Sequence, residues 1–138
     1  MHSIETKNLV RKFGEVTAVD DLTISVGEGE VFGLLGPNGE GKTTTLSMLC
    51  TILTPTSGSA TVNGFDVMKN PDEVRKSIGI VFQDPSLDNR LTGRENLEMH
   101  AELYEIEKNT AKARISELLA LVELADRASE PVKNYSGG

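Results

Sequence analysis

Eight consecutive residues, Gly36-Pro37-Asn38-Gly39-Glu40-Gly41-Lys42-Thr43, have the types and spacing to hold a chain of phosphates, fitting G-x-x-x-x-G-K-[ST] at every fixed position. Phosphate oxygens are crowded with negative charge and need many donors at short range. Glycines let the backbone wrap closely enough to turn successive N–H groups inward. A helix starting directly behind the loop adds its partial positive charge. In that arrangement Lys42 reaches the β- and γ-phosphates, and the Thr43 hydroxyl takes a place on Mg²⁺. Thr44 follows in the first helical turn.

Such a loop needs a buried strand before it and a helix after it. Residues 31–35 are a short apolar run that predicts a buried parallel strand, and 43–49 predict the start of the helix in spite of three threonines in a row. Upstream, residues 3–13 alternate loosely and are polar, which predicts a strand at a sheet edge. Residues 22–26 alternate cleanly, as a half-buried antiparallel strand does. Gly27, Glu28 and Gly29 turn the chain toward the loop. After the first helix, residues 55–58 break the pattern, and 59–62 read as a short strand closed by an Asn63-Gly64 turn.

Asn70, Pro71, Asp72 and Glu73 set a helix start, and that helix is short because 78–82 reads as a second buried strand. Thr92 and Glu95 have capping-box spacing and open a helix through about Tyr104. Ile115, Leu118, Leu119 and Val122 place one apolar stripe on the helix that follows. Residues 130–138 are polar and loop-like, ending on two glycines with nothing packed behind them.

The chain has 138 residues, enough for one domain with a real core, and its 25% charged residues are ordinary for a globular protein. A net charge of -7 argues against broad nucleic-acid binding, which runs on clustered Lys and Arg. The single cysteine, Cys50, has no internal partner and reads as a small buried side chain in a reducing compartment. No secretory signal and no bilayer-spanning run is visible, so the expectation is a cytosolic polypeptide, or one held at a membrane by a partner. His2 and His100 lack any zinc-binding spacing.

Three further positions bear on the same chemistry. Gln83 follows the run 78–82, at the strand edge where ligands of open α/β sheets sit, and its amide oxygen suits Mg²⁺ or an attacking water. Phe13 precedes Gly14 in a polar stretch and has a π-face on which a base can stack. Tyr135-Ser136-Gly137-Gly138 offers N–H groups and a hydroxyl to a phosphate. Each has a plainer reading as well: a solvated glutamine, a core phenylalanine, a flexible loop. The acids Glu95, Glu98, Glu102 and Glu105 share one helix face and read as solvated.

Together these positions resemble the ATP-binding cassette family over the whole chain. Gly36 to Thr43 matches its Walker A sequence, Gln83 its Q-loop glutamine, and residues 135–138 the first four positions of its five-residue signature. Phe13 stands where that family places the aromatic that stacks on adenine. Residues 82–97 are most similar to the branch serving drug exporters of the daunorubicin-resistance type.

The resemblance implies an α/β fold of the P-loop NTPase type in its cassette form: an antiparallel β subdomain, a parallel core sheet around the phosphate loop, and a helical subdomain, truncated at the C-terminal end. It implies one partial domain over 1–138, β-rich with the phosphate-loop core over 1–85 and helical over 86–138. ATP and Mg²⁺ are the implied cofactors, with Phe13, residues 36–44 and Gln83 on ATP, and Thr43 and Gln83 on the metal. Ser136, Gly137 and Gly138 would contact the ATP of a second ATP-binding subunit in a head-to-tail pair. A membrane-spanning subunit is the other implied partner, holding the protein at the inner face of the cell membrane and exporting a drug-like substrate.

Two departures stand out. The chain ends at Gly138, before the family's Walker B aspartate, catalytic glutamate and switch histidine, so no catalytic residue is assigned and hydrolysis is left open. Glu40 occupies a position where the family usually has a small residue, and its carboxylate is expected to repel the triphosphate. The alternatives are a truncated, non-hydrolysing nucleotide-binding remnant and a cassette ATPase outside transport.

Overall fold

The computed structural model describes residues 2–37, 39, 41–81 and 86–136. It divides into two compact units, Met1–Val81 and Phe82–Gly138.

The first unit is built on a four-stranded antiparallel sheet of strands β1 (His2–Phe13), β2 (Val16–Gly27), β3 (Ser57–Val62) and β4 (Phe65–Asp66), ordered β2-β1-β3-β4. The polar N-terminal strand is therefore internal rather than at an edge, with β2 on one side and β3 on the other. Its loose alternation has a local cause. Asn8 and Asp21 both adopt positive φ, at 48° and 51°, and the Asn8 amide donates to the Asp21 carboxylate at 2.6 Å. The β1–β2 register shifts between Thr6 and Leu9, so the buried positions change phase there. Thr6 is buried at the shift, where its hydroxyl donates to the Leu22 carbonyl at 2.9 Å and accepts from the Ile24 N–H at 3.0 Å.

Between β3 and β4, Asn63 and Gly64 turn with φ of 49° and 81°, the left-handed pair that a two-residue hairpin requires. Helix α1 (Lys42–Leu49) lays Met48 and Leu49 on the core, and helix α2 (Pro71–Ser77) adds Val74. Leu9, Met48 and Val74 are wholly buried there, beside Val19, Ala60, Val62 and Val67. Asn70 stands at the N-cap of α2 without a side-chain capping bond, while its carbonyl accepts from the Val74 N–H at 3.1 Å.

The two apolar runs expected as buried parallel strands form no strand among the described residues. Val31 and Leu35 are 100% and 93% exposed, and Val81 is 100% exposed. A parallel strand is buried by covering helices on both faces and held by neighbours on both edges. Neither segment has a ladder partner among the described residues. Among the described residues of the two runs, Ile78 alone packs on the core.

In the second unit, helices α3 (Gly93–Leu103) and α4 (Lys108–Leu121) pack Ala101 against Ala111, Ile115 and Leu119, with Ala128 closing the cluster. The expected stripe on α4 is narrower than its spacing suggests. Ile115 and Leu119 are buried, but Leu118 and Val122 are 49% and 58% exposed. The face used is Ala111, Ile115, Leu119, a row at four-residue steps, and Val122 lies past the helix end as its C-cap.

The capping box at α3 is complete: Thr92 Oγ1 accepts from the Glu95 N–H at 3.1 Å, and Glu95 Oε2 accepts from the Thr92 N–H at 2.8 Å. Asn96, buried one turn in, accepts from the Asp88 N–H at 2.9 Å and donates to the Asp88 and Thr92 carbonyls at 3.1 and 3.0 Å. Asn96→Ala leaves the Asp88 N–H without its partner, while the Asp88 and Thr92 carbonyls keep the Leu91 and Asn96 N–H groups, and is expected to destabilise the protein by about 1–3 kcal/mol in urea unfolding. A change within about 0.5 kcal/mol, the range of ordinary surface substitutions, would show the amide to be dispensable.

Candidate nucleotide site

The phosphate-loop residues sit between β2 and α1. Gly41 is the N-cap of α1 with φ 83°, and its carbonyl accepts the first helical bond, from the Thr45 N–H at 2.8 Å. No side chain caps this helix and no acid stands in its first turn, so its N-terminal partial charge is not neutralised from within the helix. Lys42, the first helical residue, donates its ammonium to the carbonyls of Gly36 and Pro37. The ammonium thus ties the two ends of the loop together. Thr43 is exposed, Thr44 half-buried, and Thr45 buried.

Gly41 has a second constraint. A Cβ placed on it would stand 2.1 Å from the Ala18 carbonyl oxygen of β2 and 3.2 Å from Val19 Cγ2. Gly39 also has positive φ, 87°, but a Cβ there meets nothing within 4 Å. Only glycine lets the loop lie this close to β2. An open cleft of about 180 Å³ runs along this contact, lined by Ala18, Val19 and Asp20 of β2 and by Gly36, Gly41 and Lys42 of the loop. The donor set fits a polyphosphate: an ammonium, an uncapped helix start and an exposed hydroxyl that suits a Mg²⁺ carried by it.

Phe13 is not among the cleft residues. It ends β1, 44% exposed, and the Arg11 guanidinium lies over its ring, 4.5 Å from the centroid. Sequence reading passed over Arg11, although its i, i+2 relation to Phe13 on a strand placed both on one face. Asn38, Glu40, Gln83, Gly137 and Gly138, all expected at the site, lie outside the described residues.

Ser136 is exposed beside a segment more ordered than the loop expected there. A short 3-10 turn, Val132–Asn134, buries Val132, and Pro131 bridges to Thr92. The Tyr135 hydroxyl donates to the Arg127 carbonyl at 2.5 Å. A Cβ on Gly93 would meet that hydroxyl at 2.4 Å, so the start of α3 and this segment are closely packed. Asp88, ahead of α3, takes side-chain and backbone hydrogen bonds from Arg90 that hold its carboxyl down at about 2.

The family model described as ABC transporter matches residues 19–138, most of the chain and both units. The chain belongs to the ABC transporter family. Among ABC relatives, it is 42% identical over 137 residues to the daunorubicin resistance ATP-binding protein DrrA2 of Streptomyces coeruleorubidus, covering 99% of this chain and 42% of that protein. It is 44% identical over 136 residues to the daunorubicin/doxorubicin resistance ATP-binding protein DrrA of Streptomyces peucetius, covering 99% and 41%. The chain therefore spans about two fifths of the length of the curated relatives it matches. Of solved structures, an ATP-binding subunit of an ABC transporter superposes with a TM-score of 0.81 at 28% identity, over 96% of this chain and 55% of that one. The fold is that of an ABC ATP-binding domain, mixed α/β with an antiparallel sheet.

Proposed function

We propose that this chain carries the phosphate-binding part of an ABC transporter's ATP-binding subunit of the drug-resistance type. The observation that carries the reading is the loop itself: Lys42 at an uncapped helix start, behind a Gly41 whose replacement would force β2 or the start of α1 to move. In it, Lys42 and the N–H groups at the start of α1 hold the phosphates. Mg²⁺ supplies charge neutralisation, with the Thr43 hydroxyl and Gln83 as its protein ligands. Phe13 stacks on the adenine. Ser136, with Gly137 and Gly138, serves the nucleotide of a second ATP-binding subunit. ATP use in the whole transporter drives export of a drug-like substrate through a membrane-spanning subunit. That the drug-resistance proteins of Streptomyces are its relatives supports the export reading. Among the described residues no helix is long and apolar enough to cross a membrane, so the reading assigns passage to the partner.

Titration with Mg·ATP, Mg·GTP and inorganic tripolyphosphate tests it. Base stacking discriminates poorly between purines, so GTP is expected to compete within about tenfold of ATP. Phe13→Ala is expected to weaken ATP by about 1–3 kcal/mol and to leave tripolyphosphate unchanged. If none of the three ligands binds, the phosphate-site reading falls; strong rejection of GTP alone would mean that the base is read elsewhere. An unaffected Phe13→Ala would place the base elsewhere.

A further inference from the structure

Arg11 has an unusual set of partners for a surface cation. Its Nη1 donates to the Thr54 carbonyl at 2.6 Å, across 43 positions of sequence. Its Nε is buried and has no hydrogen-bond partner among the described residues. The guanidinium also lies over the π-face of Phe13, its carbon 4.5 Å from the ring centroid. An aromatic face supplies the negative surface that a partly covered guanidinium can use. The backbone fixes this arrangement: the Lys12 N–H donates to Thr56 Oγ1 at 2.9 Å, and the Thr56 N–H to the Val10 carbonyl at 2.8 Å. Arg11 is thereby held between the segment after α1 and the end of β1.

Phe13 needs such support. Its strand pairs with β3 only as far as Val10, so Phe13 is paired only to Val16, next to the turn at Gly14. With 44% of the residue exposed, the ring is only partly enclosed by the fold. We propose that Arg11 is a positioning residue for nucleobase binding: its guanidinium, tethered to Thr54, clamps one face of Phe13 and presents the other face to a purine. The proposal rests on the base-stacking reading of Phe13 given above. Two effects act together. A ring already held in place loses less freedom when the base arrives. The cation also draws π-density toward itself, which favours an electron-rich purine on the opposite face.

A double-mutant cycle on the full chain tests it, with Arg11→Ala, Phe13→Ala and the pair titrated against Mg·ATP and inorganic tripolyphosphate. Arg11→Ala is expected to weaken ATP by about two- to fivefold, the range of an exposed cation–π contact, and to leave tripolyphosphate unchanged. In the Phe13→Ala background the same change is expected to have no further effect, because the residue acts through the ring. Arg11→Lys, which keeps the charge but not the planar group, should recover only part of the loss. Tripolyphosphate binding in every variant reports that the phosphate loop is still folded. Equal weakening of ATP and tripolyphosphate would overturn the proposal in favour of a long-range charge effect, and additive losses in the cycle would overturn it too. If Phe13→Ala weakens ATP while Arg11→Ala does not, the base-stacking reading stands and this inference falls. If Phe13→Ala changes nothing, both fall.

Discussion

Lys42→Ala is expected to weaken Mg·ATP binding by about tenfold to over a hundredfold, the equivalent of roughly 1.5–3 kcal/mol for a lost charge-assisted contact. The side chain leaves the first residue of α1 and already donates to the carbonyls of Gly36 and Pro37. Removing it takes away both the cation for the phosphates and a tether across the loop. The loss should be shared by ATP and tripolyphosphate, since neither role involves the base. Because Lys42 is half-exposed and outside the apolar core, the unfolding midpoint should move little. Titration with a fluorescent ATP analogue decides it. Equal affinity of the variant and the parent would remove the phosphate loop from the account.

Gly41→Ala is expected to have the largest effect on stability of any loop substitution, and Gly39→Ala is its control. Both positions have φ near 85°, at 83° and 87°, where a side chain costs about 1–2 kcal/mol. At Gly39 the added methyl group meets nothing within 4 Å, so the backbone cost is the whole of it. At Gly41 the methyl would lie 2.1 Å from the Ala18 carbonyl oxygen, which no real contact tolerates. Either β2 yields or the start of α1 moves, adding overpacking of about 1–3 kcal/mol, for a total of roughly 2–5 kcal/mol. Moving α1 also displaces Lys42, so ATP affinity should fall with stability in Gly41→Ala but much less in Gly39→Ala. Urea unfolding of the two variants compares them directly. Coincident midpoints would mean that the loop does not rest against β2.

Much of the local structure was legible because its causes are local. The Asn63-Gly64 turn follows from the two residues that tolerate positive φ, and the capping box from a hydroxyl and a carboxylate three residues apart. The phosphate-loop pattern is equally local, since its glycines, lysine and threonine lie within eight residues of one another. The contacts of Arg11 were not legible, because its hydrogen bond runs to Thr54, 43 positions away, and the ring beneath it was weighed only for a base or the core.

The sequence by itself determined the phosphate-loop pattern, the starts of α2 and α3, the Asn63-Gly64 turn and the family pattern, all of which depend on short-range spacing and on the conformational limits of single residues. Tertiary structure decided what spacing cannot express. It put the polar strand β1 inside the sheet, because burial of Leu9 and Thr6 depends on a bulge that shifts the alternation. It narrowed the apolar face of α4 to Ala111, Ile115 and Leu119, because only that row meets α3 and Ala128. It left residues 31–35 and 78–81 outside any strand, because a strand exists only where another strand accepts its backbone hydrogen bonds. And it made Gly41 irreplaceable through the Ala18 carbonyl, a contact between segments that no periodicity reveals.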